Sequence, residues 1–117
     1  MIIQIHAQDF SLTDGVRDHV TRRLAYAMSH ERGNVSRIVV RLHDINNFRG
    51  RMNKYCGIEV RIKGAPALIA EDVQPDLYTA IDRASERISR SVNRRLSHRN
   101  KASATSTLWQ HAADEAA

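Results

Sequence analysis

Residues 35–63, VSRIVVRLHDINNFRGRMNKYCGIEVRIK, place two alternating runs on either side of a polar, basic stretch. In the first run Ile38, Val40 and Leu42 face one way while Arg37, Val39, Arg41 and His43 face the other. A period of two is what a strand with one buried face requires, because successive side chains point to opposite sides of the pleat. Cys56, Ile58, Val60 and Ile62 repeat the pattern against Tyr55, Glu59, Arg61 and Lys63, which gives a second such strand. Residues 44–54 join the two through Asn, Gly and charge. They read as a mobile, basic connection carrying Arg49, Arg51 and Lys54, longer than a tight hairpin.

Working back toward the N-terminus, Val16, Val20, Leu24 and Ala27 recur at three- and four-residue spacing, the apolar stripe of a helix over about residues 14–31 that stops before Gly33 and Asn34. Thr13 is its expected N-cap, and Asp14 complements the positive end of the helix dipole. Ahead of it Ile3, Ile5 and Ala7 alternate with Gln4, His6 and Gln8, a further strand. Working forward, residues 64–66 turn the chain and residues 67–72 form a short strand. Pro75 and Asp76 then open a last helix, in which Leu77, Ile81, Ala84, Ile88 and Val92 make the apolar face up to about Ser97 or Arg99.

One-sided strands and one-striped helices imply an α+β fold. We expect a βαβββα two-layer sandwich, a four-stranded sheet with two helices packed on one face and water on the other. Residues 1–100 make the domain. From Lys101 the composition turns to Ala, Ser, Thr and His without a period, so residues 101–117 read as a flexible tail in which Leu108 and Trp109 are the apolar exceptions.

The 117 residues suffice for one core, and the formal charge of +5 with an isoelectric point near 10.0 favours a polyanionic partner. Cys56 is the only cysteine, so no intrachain disulfide forms and a reducing cytoplasm is the expected location. The alternating start is no signal peptide, and no stretch approaches the roughly 20 apolar residues of a membrane span. Six histidines lack the spacing of a metal-binding helix, and one cysteine cannot support a zinc finger. There is no phosphate loop, nucleophile elbow or spaced carboxylate pair. We therefore expect no enzyme, no metal or other cofactor, no small-molecule substrate and no membrane partner. Cys56 follows the apolar alternation of its strand, as a buried thiol would.

Charge placement is more informative than net charge. At about 100° per residue Arg83, Arg87, Arg90 and Arg94 share one row of the last helix, roughly 130° from its apolar sector. Neighbours three and four apart repel by a few tenths of a kcal/mol per pair, so stability alone would not select the row. Dipole matching accounts for Arg94, Arg95 and Arg99 near the helix end but not for Arg83 or Arg87 in its middle. Arg95 and Arg99 fall in the core sector of the wheel, and on a helix longer than the sheet they would project into solvent or onto a partner. Arg22 and Arg23 flank the stripe of the first helix with His19 and Tyr26, placed to widen the row if the helices lie side by side. Arginine supplies most of the 18 basic residues. Its planar fork grips phosphate with two parallel hydrogen bonds. On the exposed sheet face Arg37, Arg41, Arg61 and Lys63 mix with Glu59, an ordinary setting for ion pairs. Aromatics there, chiefly Tyr55, are too few for a stacking platform.

Residues 76–96, DLYTAIDRASERISRSVNRRL, with GVRDHVTRRLAYA at 15–27, resemble the ribosome hibernation-promoting and ribosome-associated inhibitor family, also labelled sigma-factor modulation proteins. The D-L-Y-x-A-I-D opening is the most specific part, and K-x-C-x-I-E-V-R around Cys56 is shared with some members. The resemblance implies a cytoplasmic bacterial or plastid protein of the short form. Such a protein enters the decoding channel of the small ribosomal subunit, contacts its ribosomal RNA and reversibly inhibits translation under stress or in stationary phase. It implies that Arg87, Arg90 and Arg94 grip ribosomal RNA phosphates, with Arg23 on the first helix. Tyr26 stands where lysine is common, and Arg22 is placed to substitute. The competing readings are a protein-interaction module modulating a transcription (sigma) factor and a generic double-stranded RNA binder.

Overall fold

The computed structural model describes the backbone of residues 1–8, 11–31, 33–46 and 52–114, and the side chains of the same residues apart from 46, 52 and 98–114. Along the chain run β1 (Ile2–Gln8), α1 (Asp14–Ala27), β2 (Val35–Asn46), β3 (Met52–Ile62), β4 (Leu68–Gln74) and α2 (Leu77–Asp114). The sheet order is β1-β2-β3-β4. β1 and β2 are parallel, as the crossover through α1 requires, and the later pairs are antiparallel. This is the expected βαβββα sandwich.

The alternation decides which face is covered. Ile38, Val40, Leu42, Cys56, Ile58, Val60 and Ile62 project together with Val16, Val20 and Leu24 of α1 and Ile81, Ala84, Ile88 and Val92 of α2 into one buried cluster. Full burial of each Val, Leu or Ile is worth roughly 1.5–3 kcal/mol, so this layer dominates the stability. On the opposite face most residues meet water, though Val39 is buried at 5% exposure.

Several boundaries differ from the sequence reading. Thr13 caps α1 as expected, its Oγ1 accepting from Val16 N at 3.2 Å, but the helix stops at Ala27, four residues early. Met28 takes the C-cap and is fully buried. The β2–β3 connection is shorter than expected because both strands run on to the pair Asn46 and Met52. Lys54 Nζ donates to Asp44 Oδ1 at 2.5 Å across these extensions, while Arg49 and Arg51 lie outside the described residues. β4 is a full strand with its turn entered through Gly64 at φ 71°, a left-handed backbone that glycine adopts without a Cβ clash. α2 continues to Asp114 instead of stopping near Ser97 or Arg99. Residues 102–114 hold neither Pro nor Gly, so no strong breaker interrupts the helix there.

Candidate nucleic-acid interface

The arginine row lies along the flank of α2 that faces β4. Arg87, Arg90 and Arg94 border a groove of about 430 Å³ with Ser91 of the same helix and Ala70 and Glu71 of β4. Arg83 stands one turn earlier and is exposed, as are the other three. Arg83, Arg90 and Arg94 make no hydrogen bond or ion pair among the described residues. Arg87 is 59% exposed at its side chain and has one contact, Nε to Asp72 Oδ2 at 3.5 Å. Asp72 is 8% exposed and already accepts from Val73 N at 2.8 Å and Gln74 Nε2 at 3.1 Å. It therefore steadies Arg87 from behind while leaving most of the guanidinium in water.

The arginines of α1 are arranged differently. Arg23 Nε stands 3.0 Å from Asp82 Oδ1 and its NH2 group 3.6 Å from Glu86 Oε1, and NH2 also donates to the Asp82 carbonyl at 3.3 Å. The Nε hydrogen does not point at the carboxylate, so that closest contact is Coulombic rather than a hydrogen bond. His19 Nε2 reaches the same Asp82 oxygen at 2.7 Å, its ring edge-on to Tyr78 at 4.8 Å. Asp82 thus ties α1 to α2. With side chains between a quarter and a half exposed, such pairs contribute about 0–1 kcal/mol each. At about 100° per residue Asp82 and Glu86 sit roughly 90° around α2 from the centre of the arginine row, on the side toward α1. The row is therefore not continued into Arg23, whose charge is met by two carboxylates. Arg22 is exposed and lines a shallow cavity with His19, Arg23 and Tyr26, with Tyr26 itself 78% exposed.

Arg95 is half-buried and turns back onto the fold. Leu96 extends the core beside it at 4% exposure, and Arg95 Nη1 donates to the Pro66 carbonyl at 3.1 Å, holding the β3–β4 turn against the helix. The side chain of Arg99 lies outside the described residues. Cys56 is fully buried, and burial, followed by the nearby Asp72 carboxylate, pushes its thiol up to about 12. Sequence reasoning missed Asp72 and the Pro66 carbonyl. The first reads in the sequence as an acid at the end of a short strand, and a backbone acceptor leaves no mark in a sequence. On the outer sheet face the anticipated ion pair of Glu59 is made within its own strand, to Arg61 at 3.0 Å, while Arg37 lies opposite Arg61, a like charge.

A mixed four-stranded sheet under two helices, one of them bearing a row of exposed arginines on its flank, defines a two-layer α+β protein with a cationic helical surface. Solved structures share the fold. Among them is a ribosomal subunit interface protein from Coxiella burnetii, 20% identical with a TM-score of 0.70 over 83% of this chain and 99% of that one. Another is the N-terminal domain of Protein Y from Thermus thermophilus, 25% identical with a TM-score of 0.63 over 80% and 98%. No curated protein matches the chain. The family model described as Sigma 54 modulation protein / S30EA ribosomal protein matches residues 3–100, and the chain belongs to that family.

Proposed function

We propose that this protein is a ribosome-associated hibernation factor that binds small-subunit ribosomal RNA in the decoding channel and reversibly inhibits translation in the resting cytoplasm. The observation that carries this reading is the exposed row Arg83, Arg87, Arg90 and Arg94, three of whose guanidinium groups make no ion pair among the described residues. A folded protein gains nothing from the mutual repulsion of such a row, and a phosphate backbone supplies anions for it. The Coxiella burnetii neighbour is described as a ribosomal subunit interface protein, and the family description includes a ribosomal protein. Arg22 and Tyr26 form an outlying part of the surface, while Arg23 and Arg95 act through the fold. Residues 1–100 are the binding unit and residues 101–117 an appendage to it.

Phosphate contacts of this kind read the shape of RNA and little of its sequence. Cosedimentation with purified small subunits tests the proposal. Changing Arg87, Arg90 and Arg94 together to Glu should abolish it while leaving the circular dichroism spectrum intact, and unaltered cosedimentation of that variant would refute it. Competition with free duplex RNA separates a ribosome-directed surface from a general duplex binder. A ribosome sedimentation profile of resting cells with and without the protein tests the inhibition itself.

A further inference from the structure

The outer face of the sheet, with too few aromatics for a platform of several bases, carries one pair of stacked rings that the helical surface does not use. His43 and Tyr55 are register partners on β2 and β3, and their rings stack with centroids 4.3 Å apart at 25°. Tyr55 leans along its own strand over Gly57, where any Cβ would run into the ring, so the glycine is what lets the ring lie down. Its hydroxyl donates to Glu71 Oε2 at 2.5 Å, which fixes the far end. Burial first, and then this bond to Glu71, raises the phenol to about 12, so it remains a neutral donor. His43 Nδ1 lies 3.4 Å from the Asp44 carbonyl oxygen. A carbonyl only accepts, so a bond there puts the proton on Nδ1 and leaves Nε2 as an acceptor.

Beside these rings is a cavity of about 330 Å³ bounded by His6 and Gln8 of β1, Arg41 and His43 of β2 and Tyr55 of β3. Arg41 is exposed, and Arg37 lies four residues away on the same face, about 13 Å along the strand. Neither makes a hydrogen bond or ion pair among the described residues. The carboxylates of this face are engaged elsewhere, Glu59 with Arg61 at 3.0 Å and Glu71 with Tyr55. A flat, pre-organised ring surface therefore adjoins two uncompensated guanidinium groups set along one line.

We infer that this cavity holds one unpaired nucleobase of a single-stranded RNA, stacked against the His43–Tyr55 pair, with Arg41 on the adjoining phosphate and Arg37 on one further along. Every base has a π-face, so such a platform takes any unstacked base, and arginine beside it serves the backbone. An aromatic peptide would use the rings but leave both guanidinium groups unanswered, which is why the RNA strand fits better. The site is on the face opposite the helices, so it neither uses nor depends on the arginine row.

The test is fluorescence anisotropy with the full chain and two labelled probes, an unstructured eight-nucleotide RNA and a strand of equal length and charge lacking bases. One stacked base is worth about fivefold or more in affinity, so the RNA should bind tighter than the abasic strand by at least that factor. His43→Ala should erase the preference, and His43→Phe, which keeps a flat ring, should restore it. Changing Arg87, Arg90 and Arg94 to Glu should leave the RNA's preference over the abasic strand in place, which separates failure of this site from failure of the helical surface. Equal binding of the two probes by the unaltered protein, no binding of either, or a preference that survives in His43→Ala would overturn the inference. A 4-thiouridine version of the RNA gives a readout free of any folding defect. Crosslinks at His43 or Tyr55 of the unaltered protein are expected, and crosslinks confined to α2 would overturn the inference.

Discussion

Replacing Arg83, Arg90 and Arg94 together with Gln removes charge without adding any, and its consequences on stability and on binding have opposite signs. The three residues make no ion pair among the described residues, so nothing buried among these is left unsatisfied. Their removal instead relieves the like-charge contacts 83–87, 87–90 and 90–94, each worth a few tenths of a kcal/mol. The variant should melt at the same temperature or slightly above it. Binding to small subunits should fall, and should fall in a particular way. Each phosphate contact contributes about 0.7–0.9 to the slope of log K against log salt, so three lost contacts flatten that slope by about 2–2.7. Between 50 and 200 mM salt the unaltered protein should then lose roughly 20- to 40-fold more affinity than the variant. Filter binding or sedimentation across a salt series measures this directly. A slope unchanged within half a unit would mean that these guanidinium groups touch no phosphate, and the proposed use of the row would be wrong.

Leu24 is fully buried between α1 and the sheet, so Leu24→Ala should cost about 2–5 kcal/mol in urea unfolding with the m-value unchanged. Asp82→Asn loosens the α1–α2 tie by about 1 kcal/mol or less and, by freeing Arg23 from its closest carboxylate, should tighten binding to small subunits at low salt. Cys56 has a folded pKa raised from 9.0 to about 12, so the folded state holds its proton longer than the unfolded one. The stability this contributes is complete below about pH 9 and is lost as pH rises toward 12. A thiol reagent at pH 8 should accordingly react with Cys56 only in denaturant, and rapid labelling of the native protein would contradict the burial.

The sheet could be read from the sequence because alternation is imposed by backbone geometry alone, and Ile38, Val40, Leu42, Ile58 and Val60 obey it without exception. Thr13 was equally legible, since the side chain that caps a helix sits next to the helix it caps. The end of α1 was not, because residues 28–31 contain no breaker and their departure from the helix is set by Met28 docking into the core. The arginine row followed from helical spacing. What spacing could not supply was each arginine's company: Asp82 lies 59 residues from Arg23, and the Pro66 carbonyl 29 from Arg95. The stacked His43 and Tyr55 were hidden for the same reason, because their pairing depends on the β2–β3 register and on the ring lying across Gly57.

That division between spacing and company is also what separates the two uses of arginine in this fold. Arg23, Arg61 and Arg95 are spent on Asp82 and Glu86, on Glu59 and on the Pro66 carbonyl, where each fastens one element to another or steadies a strand. Arg83, Arg87, Arg90 and Arg94 repeat at helical spacing, where each repels the next, and Arg83, Arg90 and Arg94 make no ion pair among the described residues. The repulsion amounts to a few tenths of a kcal/mol per pair, small beside a core of Val, Leu and Ile side chains worth roughly 1.5–3 kcal/mol each. The sandwich can therefore carry the uncompensated row at little risk to its folding. Asp82 and Glu86 are engaged by Arg23 on the side toward α1, whereas Arg87, Arg90 and Arg94 border the groove beside β4. It is along that groove, rather than across both helices, that a phosphate backbone would lie.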